Sequence, residues 1–139
     1  MADFLTLSPR DLVRAIGAVV VGGGVGTFLR AVALRSQGAP AAHAAWTAQI
    51  PWVLLVINAA GVYAATVLLA GPLRHQDPND VVRLLLITGF LGGLTSYSSL
   101  YVALAAIWHR SVLASLVVGA GALMSGVAAA WLGLRRRPR

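Results

Sequence analysis

Cysteine, lysine and glutamate are all missing from this chain of 139 residues. Without cysteine there can be no disulfide and no thiolate metal site. The acids are reduced to Asp3, Asp11, Asp77 and Asp80, so the paired carboxylates of acid–base chemistry are absent and no long apolar run has an acid in its interior. Charge is scarce altogether, at 11% of residues against 58% hydrophobic, with a mean hydropathy of +0.79. Such a balance excludes an ordinary soluble domain and describes an integral membrane protein. All eleven bases are arginine, giving a net charge of +7. Most of them flank apolar runs, where they face anionic lipid headgroups rather than nucleic acid. A cleavable signal is not evident: the opening ten residues are mixed, and the first apolar run is too long for a signal core.

What remains is a single membrane domain, residues 1–139, with four apolar spans at about 12–34, 50–71, 80–108 and 111–134. A short amphipathic lead-in, Met1 to Asp11, ends in Ser8-Pro9, which reads as a helix cap followed by a first-position proline. Gly22 and Gly26 in the first span make a small-residue face for close helix packing. Arg30 and Arg35 mark its far end, where an arginine snorkels to the interface. A small-residue loop holds Gly38, Pro40 and His43, and Trp46 and Trp52 belong to an interfacial aromatic belt. In the second span one strongly polar side chain lies deep, Asn58, with Gly61 three residues on. A buried Asn either bonds a neighbouring helix or offers its two amide hydrogens to an anion. Asp80 can cap the third span.

That third span is about 29 residues, or ~43 Å if helical throughout, longer than a ~30 Å hydrocarbon core. Inside it lies Gly89-Phe90-Leu91-Gly92-Gly93-Leu94-Thr95-Ser96-Tyr97-Ser98-Ser99. Glycines and clustered hydroxyls both weaken the helical ladder, so an interruption is expected from Gly92 to Ser96. In lipid, freed backbone groups persist only against protein or a watery cavity. Close packing of a small-residue helix is the competing reading. His43, His75 and His109 fall in loops and share no metal-ligand spacing. Ser98 and Ser99 have no spanning His, Asp or Glu to activate them, which argues against an enzyme. The lack of a membrane-embedded acid argues against a proton-coupled exporter.

The string at 89–99 closely resembles the GFLGGLTTFSTF signature of the Fluc (CrcB) fluoride-channel family. Gly22-Gly23-Gly24-Val25-Gly26-Thr27-Phe28-Leu29-Arg30 resembles its first-helix GGALGALLRY pattern. Asn58-Ala59-Ala60-Gly61-Val62-Tyr63 resembles its NxxGSF motif, so three of the four spans carry a match. The resemblance implies an all-α membrane fold with four helices per subunit and the third broken at mid-membrane. It also implies an antiparallel dimer enclosing two pores. Its fluoride path would involve Asn58, Tyr97, Ser98, Ser99 and Leu100, with Arg30 drawing anions toward a vestibule. One structural Na⁺ would sit on the dimer axis, held by the backbone carbonyls of Gly92 and Thr95 from both subunits. Fluoride is strongly hydrated, so such a path must replace water with N–H, O–H and ring-edge donors.

The chain departs from the pattern at several places. Tyr97 keeps a ring edge and adds a hydroxyl, whereas Leu100 replaces a ring outright. Ala103 stands where many relatives carry Glu, and Ala31 and Tyr63 also differ. The expected function is a passive fluoride channel subunit in the plasma membrane that relieves the cytoplasm of fluoride. The alternative is a scaffold subunit of a heterodimeric channel whose own pore has decayed. With four spans, the termini and the second loop share a side bearing Arg10, Arg14, Arg74, Arg83, Arg135, Arg136, Arg137 and Arg139. The opposite side has Arg30, Arg35 and Arg110. Eight against three predicts cytoplasmic termini and one main orientation, and hence a homologous partner inserted the other way in place of a homodimer.

Overall fold

The computed structural model describes residues 8–38, 46–77 and 80–136. The lead-in before Ser8, Pro40, His43, Arg137 and Arg139 lie outside the described residues, as does the side chain of Trp46. Four helical spans, each long and apolar enough to cross a bilayer, make up the described chain. α1 covers Pro9–Gln37 and α2 covers Trp52–Ala70, with a 3₁₀ turn at Trp46–Gln49 between them. α3 comprises residues 81–94, α4 is Tyr97–Trp108 and α5 is Val112–Arg135.

Local chemistry sets most of the boundaries. The Ser8 side chain accepts from the Asp11 amide and Pro9 fills the first turn, so α1 starts as its sequence indicates. It begins and ends three residues beyond the expected 12–34. At the far end Gln37 ties it to the next helix, donating Nε2–H to Ile50 O at 2.7 Å and accepting from Val53 N at 3.2 Å. The Asp80 carboxylate accepts from the amides of Val82 and Arg83 and so starts α3. Ser111 caps α5 by accepting from Ala114 N, one residue after the tight turn at His109 and Arg110.

α3 departs from a simple helix. A turn at Val81–Arg83 passes into a π-helix over Leu84–Leu91, and Gly92–Leu94 returns to α geometry. Nothing in this apolar run signals π geometry, and the sequence reading did not expect it. Thr95 and Ser96 then take extended backbone angles, with ψ of 144° and 111°, before α4 begins. The non-helical residues are therefore two, fewer than the expected stretch from Gly92 to Ser96.

α1 and α3 meet largely through backbone. A Cβ on Gly22 would strike Leu85 O and come within 2.8 Å of Phe90 N. On Gly26 it would strike Phe90 O and lie 2.8 Å from Leu94 N, while one on Gly93 would come 2.5 Å from Gly23 O. α1 and α3 thus pack at a distance only glycine allows, which makes Gly22 and Gly26 the packing face their spacing indicated. α5 also closes on α2 at a glycine, with Gly133 against the Thr66 side chain. Side-chain burial is thin: Leu54 and Ile107 are the largest fully buried groups. Large apolar residues such as Val13, Leu113 and Met124 are about 70% exposed, as expected of helices whose solvent is lipid.

Candidate functional site

Where the backbone leaves the helix, its hydrogen bonds must be found elsewhere. Ser96 is the centre of that rearrangement. Asn58 Oδ1 accepts from Ser96 N at 2.9 Å, and Asn58 Nδ2 donates to Ser96 O at 3.4 Å. One side chain of α2 therefore pairs with both polar groups of one residue, as a neighbouring strand would. One turn further along the same face, Gly61 leaves the space that the Thr95 methyl group fills, and a Cβ there would collide with Thr95 Cγ2. The Asn-x-x-Gly spacing follows: the Asn holds Ser96 and the Gly admits Thr95.

α1 tracks the same stretch from the other side. Gly26 touches the backbone of Phe90 and Leu94, Thr27 Oγ1 donates to Gly93 O at 3.4 Å, and Arg30 donates to Thr95 O at 3.4 Å. Thr95 Oγ1 turns back to Leu91 O at 2.9 Å. Ser96 Oγ accepts from Ser99 N at 3.2 Å, capping α4, and lies 3.0 Å from the hydroxyls of both Ser98 and Ser99. Three hydroxyls thus form one hydrogen-bonded cluster at the first turn of α4.

Among the described residues this accounting leaves specific groups unspent. The amides of Tyr97 and Ser98, at the positive end of α4, have no partner in the chain. Asn58 keeps one amide hydrogen. Gly92 O has lost its helical donor, because Ser96 N goes to Asn58. The arrangement can offer N–H and O–H donors to an anion and carbonyl oxygens to a cation within one short segment.

The expected site residues divide accordingly. Asn58, Ser98 and Ser99 join through Ser96, and Arg30 and Thr95 join through one carbonyl. Tyr97 is 62% exposed, and a Cβ on Gly126 of α5 would lie 3.9 Å from its hydroxyl. Leu100, one turn further along α4, is 5% exposed and packed inside the chain. Sequence reading did not single out Ser96 as the organising residue, although its cap spacing to Ser99 carried that signal. It also missed Thr27. The donors implied for Na⁺ are oxygen atoms, which suit a hard cation, and the Gly92 carbonyl is open for one. The Thr95 carbonyl is shared with the Arg30 guanidinium. The fit is to backbone oxygens alone; the described residues hold no group of His or acids able to bind a metal.

Residues 17–134 match the family described as CrcB-like protein, Camphor Resistance (CrcB). The chain belongs to the CrcB family. Among curated members, a protein of Chelativorans sp. (strain BNC1) is 32% identical over 122 residues, covering 82% of this chain and 91% of its own. Relatives from Bordetella bronchiseptica and Novosphingobium aromaticivorans are 35% and 34% identical, covering 88% and 86% of this chain. Each of the three is named a fluoride-specific ion channel FluC. These CrcB relatives are ion channels and not enzymes, in agreement with the missing nucleophile activation. With four spanning helices, this CrcB chain is a multi-pass membrane protein.

Proposed function

We propose that the chain is a subunit of a passive, fluoride-selective channel that exports fluoride from the cytoplasm. The observation that carries this reading is the Ser96 peptide, held extended by Asn58, beside unspent donors on Tyr97, Ser98 and Asn58 itself. A dehydrating fluoride needs short, charge-assisted N–H and O–H bonds, and these groups can supply them in a low-dielectric setting. Arg30 adds positive charge close to the same segment. Flux follows the electrochemical gradient, since the sequence has neither a nucleotide-binding loop nor an acid within a span interior.

In this reading the non-helical pair Thr95–Ser96 lies at mid-membrane, and two oppositely oriented subunits bring their breaks together between two pores. The Gly92 and Thr95 carbonyls of both subunits would hold one Na⁺, whose role is to add fixed positive charge and pin the paired breaks. Asn58, Tyr97, Ser98, Ser99 and Arg30 of this chain would serve the anion path. The buried Leu100, where the family pattern has a ring, supports a second reading. There this subunit scaffolds a heterodimer and its partner lines the conducting pore. Efflux from liposomes separates the two, measured with a fluoride electrode and with chloride as control. Selective fluoride release by the purified chain alone supports the channel subunit. Release only with an oppositely oriented homologue, insensitive to changes at Asn58 of this chain, supports the scaffold. No fluoride release in either case overturns both.

A further inference from the structure

Away from Thr95 and Ser96, an open groove of about 580 Å³ runs along the outer face of the bundle where α1, α2 and α3 meet. Leu12, Ile16 and Val20 form one wall, Leu84 and Ile87 the other, and Leu69 of α2 contributes from behind. The α1 residues are uncovered in the chain: Leu12 is 45%, Ile16 54% and Val20 65% exposed. From Leu12 to Val20 the wall descends ~12 Å at 1.5 Å per residue, much of the depth of one leaflet. Arg83 is the charged residue among those lining it, and it sits in the first turn of α3, directly after the Asp80 cap. Its side chain is half-buried and donates once, to Gln76 O at 3.1 Å. A guanidinium carries five N–H donors, so most of the fork remains for another acceptor.

We propose that this groove binds one acyl chain of an anionic phospholipid, with the lipid phosphate on Arg83. The apolar walls suit a hydrocarbon chain, and a guanidinium fork matches phosphate oxygens in geometry as well as charge. The surroundings select against a zwitterionic headgroup, whose cationic part would meet further arginines. Arg10 and Arg14 precede the groove on α1, and Arg74 lies in the turn after α2. Of the nearby acids, Asp80 accepts from two backbone amides, Asp11 lies 3.9 Å from Arg14, and Asp77 adjoins Gln76; Arg10, Arg14, Arg74 and Arg83 outnumber them four to three. None of the residues lining the groove belongs to the proposed ion path.

Native mass spectrometry of the purified assembly tests it, after incubation with equimolar phosphatidylglycerol and phosphatidylcholine of identical acyl chains. Retained phosphatidylglycerol should exceed phosphatidylcholine about fivefold, the preference one arginine near an anionic surface confers. Arg83→Gln, which leaves the surrounding arginines in place, should reduce that preference sharply. Ile16→Trp, which fills the groove and leaves Arg83 in place, should lower retention of both lipids. Equal retention by the unmodified protein, or a preference undiminished by Arg83→Gln, overturns the proposal. Because the chain has no cysteine, Val20→Cys supplies a single thiol. Efficient cross-linking between subunits through it would place a second copy in the groove and also overturn the proposal.

Discussion

Asn58 spends most of its amide on another residue's backbone, and this changes what its removal does. In Asn58→Ala the N–H and C=O of Ser96 lose their side-chain partner in a half-buried site, at a cost of about 1–3 kcal/mol. The variant should therefore melt at lower temperature as well as carry less fluoride. Thermal unfolding monitored by circular dichroism in detergent, alongside efflux, checks both; unchanged melting would remove Asn58 from its positioning role. Leu100 makes the opposite point. A ring there looks like the restoration of a family feature, but the side chain is 5% exposed and closely packed. Leu100→Phe should overpack the site and destabilise by about 1–3 kcal/mol, read as a lower melting temperature. A stable variant with higher flux would show that the chain simply lacks a pore ring.

At the scale of helices, glycine decides how closely α1 and α3 approach. Gly26→Ala puts a methyl group into Phe90 O and should separate the helices, lowering the yield of folded protein on size-exclusion chromatography. Gly17→Ala is its control, since a Cβ there meets nothing within 4 Å. It should be neutral or stabilise α1 by up to about 1 kcal/mol through helix propensity. Equal behaviour of the two variants would contradict the packing. Much of this level was legible in the sequence. The caps at Ser8 and Asp80, the small-residue face of Gly22 and Gly26, and a weak point near Ser96 all follow from local chemistry or spacing. The π-helix over Leu84–Leu91 was not legible, because an apolar run reads alike in either helical form. Nor was the inward turn of Leu100, which depends on the direction α4 takes after two extended residues. That Asn58 bonds Ser96 required knowing which turn of α2 faces the break.

At the scale of the whole molecule, orientation and conduction can both be measured. The arginine count of eight against three predicts cytoplasmic termini and one dominant topology, which reporters fused to each terminus would register on one side of the membrane. Comparable signals from both sides would mean dual insertion and favour a homodimer. Conduction turns on whether Asn58 does two things at once, holding Ser96 open and presenting a donor to the anion. Asn58→Asp separates these. Its carboxylate can still accept from Ser96 N, but it has no donor to offer and brings a negative charge into the path. A like charge at ~4 Å costs about 4 kcal/mol at an effective dielectric of about 20. The decisive measurement is fluoride efflux from liposomes at neutral pH, comparing the original chain with Asn58→Asp, each reconstituted alone and with its oppositely oriented homologue. The expected result is a folded, assembled Asn58→Asp protein whose fluoride efflux falls by about a hundredfold or more. A folded Asn58→Asp protein that releases fluoride at the original rate would contradict the account.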